Sequence, residues 1–242
     1  SKAQADGYTL MLYSSSLWLM PYMRNQVPYS MSQFAPVAYV SASPLILIVH
    51  PSVSAKSTEE LIALAKAKPG ELNYASGPLG ASPHLAGELF KYMTGVNIVH
   101  IPFKGVGLAV NDVIAGRVQI MFASVGSAVP QIKAGRLRGL AVTTAHPSPI
   151  LPGTPTVASA GLPGFESVST NGVFAPAKTP PAIIERLNHE LNNALARPDL
   201  REKFLNVGME PIGGTPAHFD QVIKTETVRM LKVIKAAGLR AE

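Results

Sequence analysis

The chain has 242 residues, of which 47% are hydrophobic and 15% charged, with a formal net charge of +6 and no cysteine. Those figures exclude thiolate metal sites, cysteine nucleophiles and disulfides, and they allow one large domain or two small ones with a sizeable core. Mean hydropathy is +0.20, yet the longest apolar run, from Pro44 to His50, is strand-sized and far short of the roughly 20 residues a membrane span needs.

Lysine and arginine are scattered along the chain, and aromatic residues make up only 7% of it. Nucleic-acid recognition wants the basic residues clustered with aromatics, so composition argues against it and for a mild attraction of anionic ligands. The opening residues, Ser1 to Gly7, show no charged stretch followed by an apolar one, so no secretory signal is legible in them.

In chain order, a strand is predicted over Tyr8–Tyr13 and another over Pro44–Val49. A helix over Glu59–Lys68 follows, with Leu61, Ile62, Leu64 and Ala65 on one face and Ser57 or Thr58 as N-cap. From there one rhythm repeats: a helical pattern ends in glycine and a strand begins at once. The strand Leu72–Ala75 follows Pro69-Gly70, helix His84–Met93 and strand Asn97–Phe103 flank Gly95, helix Leu108–Ala115 and strand Val118–Phe122 flank Gly116, and helix Pro130–Ala134 and strand Leu137–Thr143 flank Gly135. Glycine just past a helix end takes the left-handed cap without steric cost. Helix and strand alternating in this way predict a parallel α/β sheet.

A Pro/Gly-rich loop with a short turn at Val157–Ala160 is expected between Thr144 and Glu166, then a strand over Ser167–Phe174. The last third is helical. Thr179 with Pro180-Pro181 reads as N-cap and first turn, Ile183, Ile184, Leu187, Leu191 and Leu195 repeat at helical spacing, a short helix covers Pro198–Asn206, and Thr215-Pro216 opens the final helix. The pattern divides into a central α/β block, residues 45–168, and two flanking pieces, residues 1–44 and 169–242, that can join into a second lobe.

Ligands of open parallel sheets sit at the carboxyl ends of strands. Those ends are rich in small polar residues here: Ser14-Ser15-Ser16, Ser76-Gly77, Phe103-Lys104-Gly105, Ala123-Ser124 and Thr143-Thr144. Several precede helices, whose first N–H groups and dipole favour anions. In Ser76-Gly77-Pro78-Leu79-Gly80-Ala81-Ser82-Pro83-His84, Ser82 and Pro83 suit N-cap and first turn, and a carboxylate fits the amides of Gly80, Ala81 and Ser82. The same residues equally suit an ordinary βα turn with a capping serine, and Lys104 equally suits a solvated turn. His84 is expected to touch the loop from the first turn of its helix.

Enzyme signatures fail. There is no Gly-x-Ser-x-Gly elbow, P-loop or dinucleotide fingerprint, and Asn193 stands where a zinc helix beginning His189-Glu190 needs its second histidine. The six histidines show no paired ligand spacing. No enzyme activity, cofactor or metal is expected.

Several ordered motifs carry a resemblance: Asp6-Gly7-Tyr8-Thr9-Leu10, Phe34-Ala35-Pro36-Val37, Gly80 to Ala86, Ile101-Pro102-Phe103-Lys104-Gly105, Asp112 with Gly116 and Val118, Pro130 to Arg138, and Gly172 to Pro176. Together they resemble the Bug/TctC family over essentially the whole chain. These are the extracytoplasmic solute-binding receptors of tripartite tricarboxylate transporters. The resemblance implies an α/β, two-lobe type II periplasmic binding protein: a Venus flytrap with two crossover strands near 41–46 and 165–172, lobe 1 being residues 1–44 with 169–242 and lobe 2 residues 45–168. It implies a small carboxylate ligand (a di- or tricarboxylate, amino acid or aromatic acid), no chemistry, a periplasmic location, and a monomer that serves a membrane permease or a sensor protein.

On that resemblance the ligand contacts are Ser14, Ser15 and Ser16 from the first lobe, and Ser76, Gly80, Ala81, Ser82, Phe103, Lys104, Gly105 and Ser124 from the second. Two departures are expected. The family's opening strand and Pro-Phe-x-x-Gly-Gly loop are missing, so the chain reads as N-terminally truncated. Phe122-Ala123-Ser124 also stands where relatives often carry an acidic or amide residue, which makes the pocket roomier and less polar. An effector lobe of a LysR-like regulator, or an enzyme on an α/β scaffold, are the alternatives. The first needs a helix-turn-helix ahead of residue 1, and the second a nucleophile–base pair or metal cluster.

Overall fold

The structure, a computed structural model, describes residues 2–239. Its elements in chain order are β1 (Met11–Ser14), α1 (Ser16–Met23), β2 (Phe34–Val49), α2 (Thr58–Ala67), β3 (Asn73–Ser76), α3 (Ser82–Thr94), β4 (Val99–Pro102), α4 (Val106–Ile114), β5 (Ile120–Ser124), α5 (Val125–Lys133), β6 (Arg138–Val142), β7 (Val168–Pro176), α6 (Pro181–Ala196), α7 (Pro198–Asn206), β8 (Glu210–Pro211) and α8 (Pro216–Ala236). They form two compact units: Pro44–Val168, and the residues up to Ser43 together with those from Ser169 onward. No helix of the described residues is long and apolar enough to cross a membrane.

The Pro44–Val168 unit is built on a mixed sheet. β3 lies parallel to both β4 and β5, in the register Ser76 beside Pro102 and Tyr74 beside Ile120. β2 runs antiparallel to β5 on one side, Leu45 beside Ser124, and to β6 on the other, Ile46 beside Val142. The parallel rhythm expected from the sequence therefore holds for β3, β4 and β5. The β5–α5–β6 crossover then passes over β2, which is inserted antiparallel between two strands of common direction. The stretch Leu45–Val49 is buried throughout, at 3% exposure or less, as a strand covered on both faces requires. Helices α4 and α5 cover one apolar cluster that includes Ile46, Ile48, Val113, Met121 and Leu137. Phe122 and Phe165 stack in another, with Phe90 packed at an angle to both.

In the other unit β7 lies between β1 and β2. β1 pairs antiparallel with β7, Met11 beside Phe174, and the short β8 pairs with β2 at Ser41. The stripe Ile184, Leu187, Leu191 and Leu195 of α6 packs on Val37, Val40, Val173 and Ala175. Trp18 of α1 meets Phe174 and Phe219 with ring centroids at 6.1 Å.

Four local expectations are corrected. β1 starts at Met11 rather than Tyr8, because the Asp6 carboxylate accepts the Tyr8 N–H at 3.0 Å and curls the chain through Gly7. Thr179 does not cap α6: its N–H closes a turn on Pro176 O at 3.0 Å, its hydroxyl is buried without a hydrogen-bond partner, and Pro180 holds the cap position. β2 begins at Phe34 rather than Pro44 and runs through Pro36. The cap of α3 is Ala81, which leaves Ser82 as its first helical residue, with no side-chain cap bond.

Candidate ligand-binding site

Because β3 is parallel to both β4 and β5, the carboxyl ends of these three strands share one edge of the sheet. A helix leaves each end: α3, α4 and α5, of 13, 9 and 9 residues. An α-helix begins with N–H groups that have no intrahelical partner and carries partial positive charge there. None of these three helices has a side-chain cap bond or an acidic residue in its first turn. In the same unit α2 has both: Ser57 accepts the Glu60 N–H at 3.1 Å, and Glu59 and Glu60 occupy the first turn. Where α2 is neutralised internally, the three helices at the carboxyl edge are left to attract an anion from outside.

The loop ahead of α3 is tied from within. The Ser76 hydroxyl donates to Gly77 O at 2.8 Å and lies 2.7 Å from His100 Nε2, which then donates to it. The Gly80 N–H donates to His84 Nδ1 at 3.0 Å, and the Ala81 N–H to Pro78 O at 3.1 Å. Gly80 has φ of +78°, a left-handed turn that glycine enters freely. Gly77 packs on the start of α4, where a Cβ would stand 3.1 Å from Val106 Cγ2. These ties change the expected cradle. The Gly80 and Ala81 amides and the fully buried Ser76 hydroxyl are engaged inside the loop. The amides of Ser82 and His84 lie ahead of the first intrahelical bond, Leu85 N–H to Ala81 O.

The remaining positions lie along the same edge. Phe103 donates its N–H to Ser76 O at 3.0 Å and packs its ring on the core. Lys104 is exposed between β4 and α4, and Gly105 is the cap residue of α4. Ser124 holds the cap position of α5 without a side-chain cap bond: Ser127 Oγ donates to Ser124 O at 2.9 Å, so the Ser124 hydroxyl donates to Ser127 Oγ at 2.8 Å. In the other unit Ser14 and Ser16 share a hydroxyl–hydroxyl bond of 2.8 Å, and the buried Ser15 donates its N–H to Thr170 O at 2.8 Å.

Sequence reasoning missed a buried polar cluster beneath this loop. The rings of His84 and His100 stack at 4.2 Å, and His100 stacks on Tyr74 at 4.8 Å. The Tyr74 hydroxyl donates to Glu88 Oε1 at 2.5 Å, which also accepts from Lys91 at 3.0 Å. Burial, and then the neighbouring His100, pushes His84 down to about 4, and burial lowers His100 too. Burial and the Glu88 carboxylate push the Tyr74 phenol up. The available signal was the β3–β4 register, which sets Tyr74 beside His100; spacing within a single element does not show it.

A separate cavity of about 820 Å³ lies in the other unit, between α1 and the end of α8, lined by Tyr22, Arg24, Asn25, Leu231, Ile234 and Lys235. Its two cations are exposed, so water and salt screen their hold on an anion.

The sequence model of the tripartite tricarboxylate transporter family receptor, TctC, matches residues 1–239. The chain is 39% identical to a protein of Pseudomonas sp. (strain P51), the UPF0065 protein in the tcbD-tcbE intergenic region, over 100% of this chain and 72% of that one. Among solved structures it is similar to R. palustris Rpa4515 with adipate, with a TM-score of 0.84, 36% identity, and coverage of 98% of this chain and 80% of the other. It is also similar to MatC from Rhodopseudomonas palustris with bound malate, with a TM-score of 0.76, 26% identity, and coverage of 96% and 81%.

Proposed function

The chain belongs to the tripartite tricarboxylate transporter receptor family, TctC, and from that premise we propose that it is a periplasmic solute-binding protein for a small organic dicarboxylate. The observation that carries this reading is the convergence of three uncapped, acid-free helix N-termini on one sheet edge. Such an edge binds an anion through backbone N–H groups and helix dipoles, without charged ligating side chains. The Ser82 and His84 amides and the starts of α4 and α5 take the carboxylate, and Lys104 adds an exposed positive charge. The adipate and malate of the two similar structures are both dicarboxylates, which supports the ligand class. Its partner on this reading is the membrane permease of such a transporter, or a sensor protein.

No step of bond making is required. The site offers donors and positive potential, and its Ser–His contact, between Ser76 Oγ and His100 Nε2, is spent inside the loop, where the hydroxyl donates to Gly77 O. The test is a thermal-shift panel of adipate, malate, citrate and glutamate against the neutral adipamide. A ligand at 100 times its Kd stabilises the folded chain by about 2.7 kcal/mol, so one or more of the acids raises the melting temperature and adipamide does not. Equal shifts from adipate and adipamide, or none from any acid, contradict the proposal.

A further inference from the structure

We propose that His84 is the positioning residue of the carboxylate loop: its unprotonated Nδ1 holds the Gly80 amide and thereby sets the turn that presents the first amides of α3. This rests on the reading of the α3 edge as the carboxylate site. Three hydrogen bonds tie the loop from Ser76 to His84, and that from Gly80 N–H to His84 Nδ1 is the one that joins it to a side chain of the helix it feeds. His84 is 1% exposed and Gly80 is buried, so the amide has no water to turn to if the acceptor is lost. A buried donor left without a partner is costly.

The ring cannot drift away from Gly80. It stacks on His100 of β4, which stacks on Tyr74 of β3, whose hydroxyl is held by Glu88 of α3 with Lys91 beside it. These are the titratable and charged groups that face His84 from the elements packed on it. Protonation at Nδ1 would set a donor against the Gly80 donor and remove the hold. Burial and the stacked His100 both oppose that protonation. The latch is therefore closed near neutral pH and opens only in acid.

Two substitutions separate the acceptor from the ring. In His84→Asn, the Oδ1 atom replaces Nδ1 as acceptor and the ring is lost. In His84→Phe, the ring and its stacking stay and the acceptor is lost. Adipate affinity by calorimetry and Gly80 amide exchange by NMR are measured in both near pH 7, and Gly80 exchange again near pH 3.5. Near pH 7 the latch predicts that His84→Phe weakens adipate binding and speeds Gly80 exchange by about tenfold or more, and that His84→Asn restores both to within about threefold of the parent. Near pH 3.5, below the value of about 4 to which burial pushes His84, Gly80 exchange speeds in the parent relative to His84→Asn. If the two variants behave alike, or if His84→Phe leaves Gly80 exchange unchanged, the proposal is overturned. A ¹⁵N measurement on the unsubstituted protein needs no variant: an unprotonated Nδ1 near pH 7 supports the latch and a protonated one overturns it. If the parent binds no carboxylate, the functional reading fails, while Gly80 exchange and the ¹⁵N tautomer still decide the latch.

Discussion

Glu88 is 6% exposed and accepts from two different side chains, Tyr74 and Lys91. Replacing it with leucine would leave a buried phenol hydroxyl and a half-buried ammonium unpaired, a loss of about 2–3 kcal/mol in urea unfolding. Its neighbour His84 gives a pH dependence whose sign follows from burial. The folded value is about 4 and the ordinary value 6.5, so between them the unfolded chain holds more protons than the folded one. Stability from this group is intact above about pH 6.5, falls as pH drops toward 4, and levels off below; the loss amounts to roughly 3 kcal/mol. His100, lowered in the same direction, adds to it. Urea midpoints measured across this range show the slope, and His84→Asn removes its own share; a stability that stays flat in the parent would contradict this. None of this pairing was legible in the sequence. His84 and His100 are 16 positions apart, on a helix and a strand, and only the fold of β3 against β4 brings their rings together. What residue-level reading did supply was the role of His84 in the first turn, touching the loop.

At the scale of elements, α3 carries a glycine at position 87 in its middle, where glycine costs about 1 kcal/mol relative to alanine. The structure accounts for it: a Cβ there would stand 2.3 Å from Tyr74 Cε2. Gly87→Ala would gain helix propensity yet push the Tyr74 ring off His100, for a net loss of about 1–2 kcal/mol in thermal or urea unfolding. For α4 the expectation is opposite in stability and function. Gly107 stands in its first turn with open space around its Cβ position. Gly107→Asp would stabilise the helix N-terminus by about 0.3–1 kcal/mol while repelling a bound anion. A melting temperature that holds or rises, with adipate binding weakened about tenfold, is the predicted outcome; unchanged affinity would remove α4 from the site. The helices were legible because glycine caps and apolar stripes are local signals, and α7 was read with the bounds Pro198–Asn206 that the structure shows. The long β2 was half-legible: its apolar run Pro44–Val49 reads as a strand, while Pro36 mimics a strand break in the stretch from Phe34 to Ser43. Its antiparallel insertion between β5 and β6 was not legible, since strand direction is set by pairings across some 80 to 100 residues, such as Leu45 beside Ser124 and Ile46 beside Val142.

At the scale of the whole molecule, the ordered motifs from Asp6 to Pro176 pointed to the receptor family, and the match over residues 1–239 bears that out. The contacts of the site were less legible. A run of small polar residues shows where backbone can approach a ligand, but not which amides the loop consumes for itself. The Gly80 and Ala81 amides and the Ser76 hydroxyl, expected as ligand contacts, make hydrogen bonds within the loop. The central claim is that a dicarboxylate binds the carboxyl edge of the Pro44–Val168 sheet through helix N-termini. The most direct measurement is a ¹H–¹⁵N NMR titration with adipate. The account predicts that the largest saturable shifts fall on the amides of Ser82, His84, Val106, Gly107 and Val125. Shifts confined to the cavity beside Arg24 and Lys235, or no saturable shift at all, would contradict it.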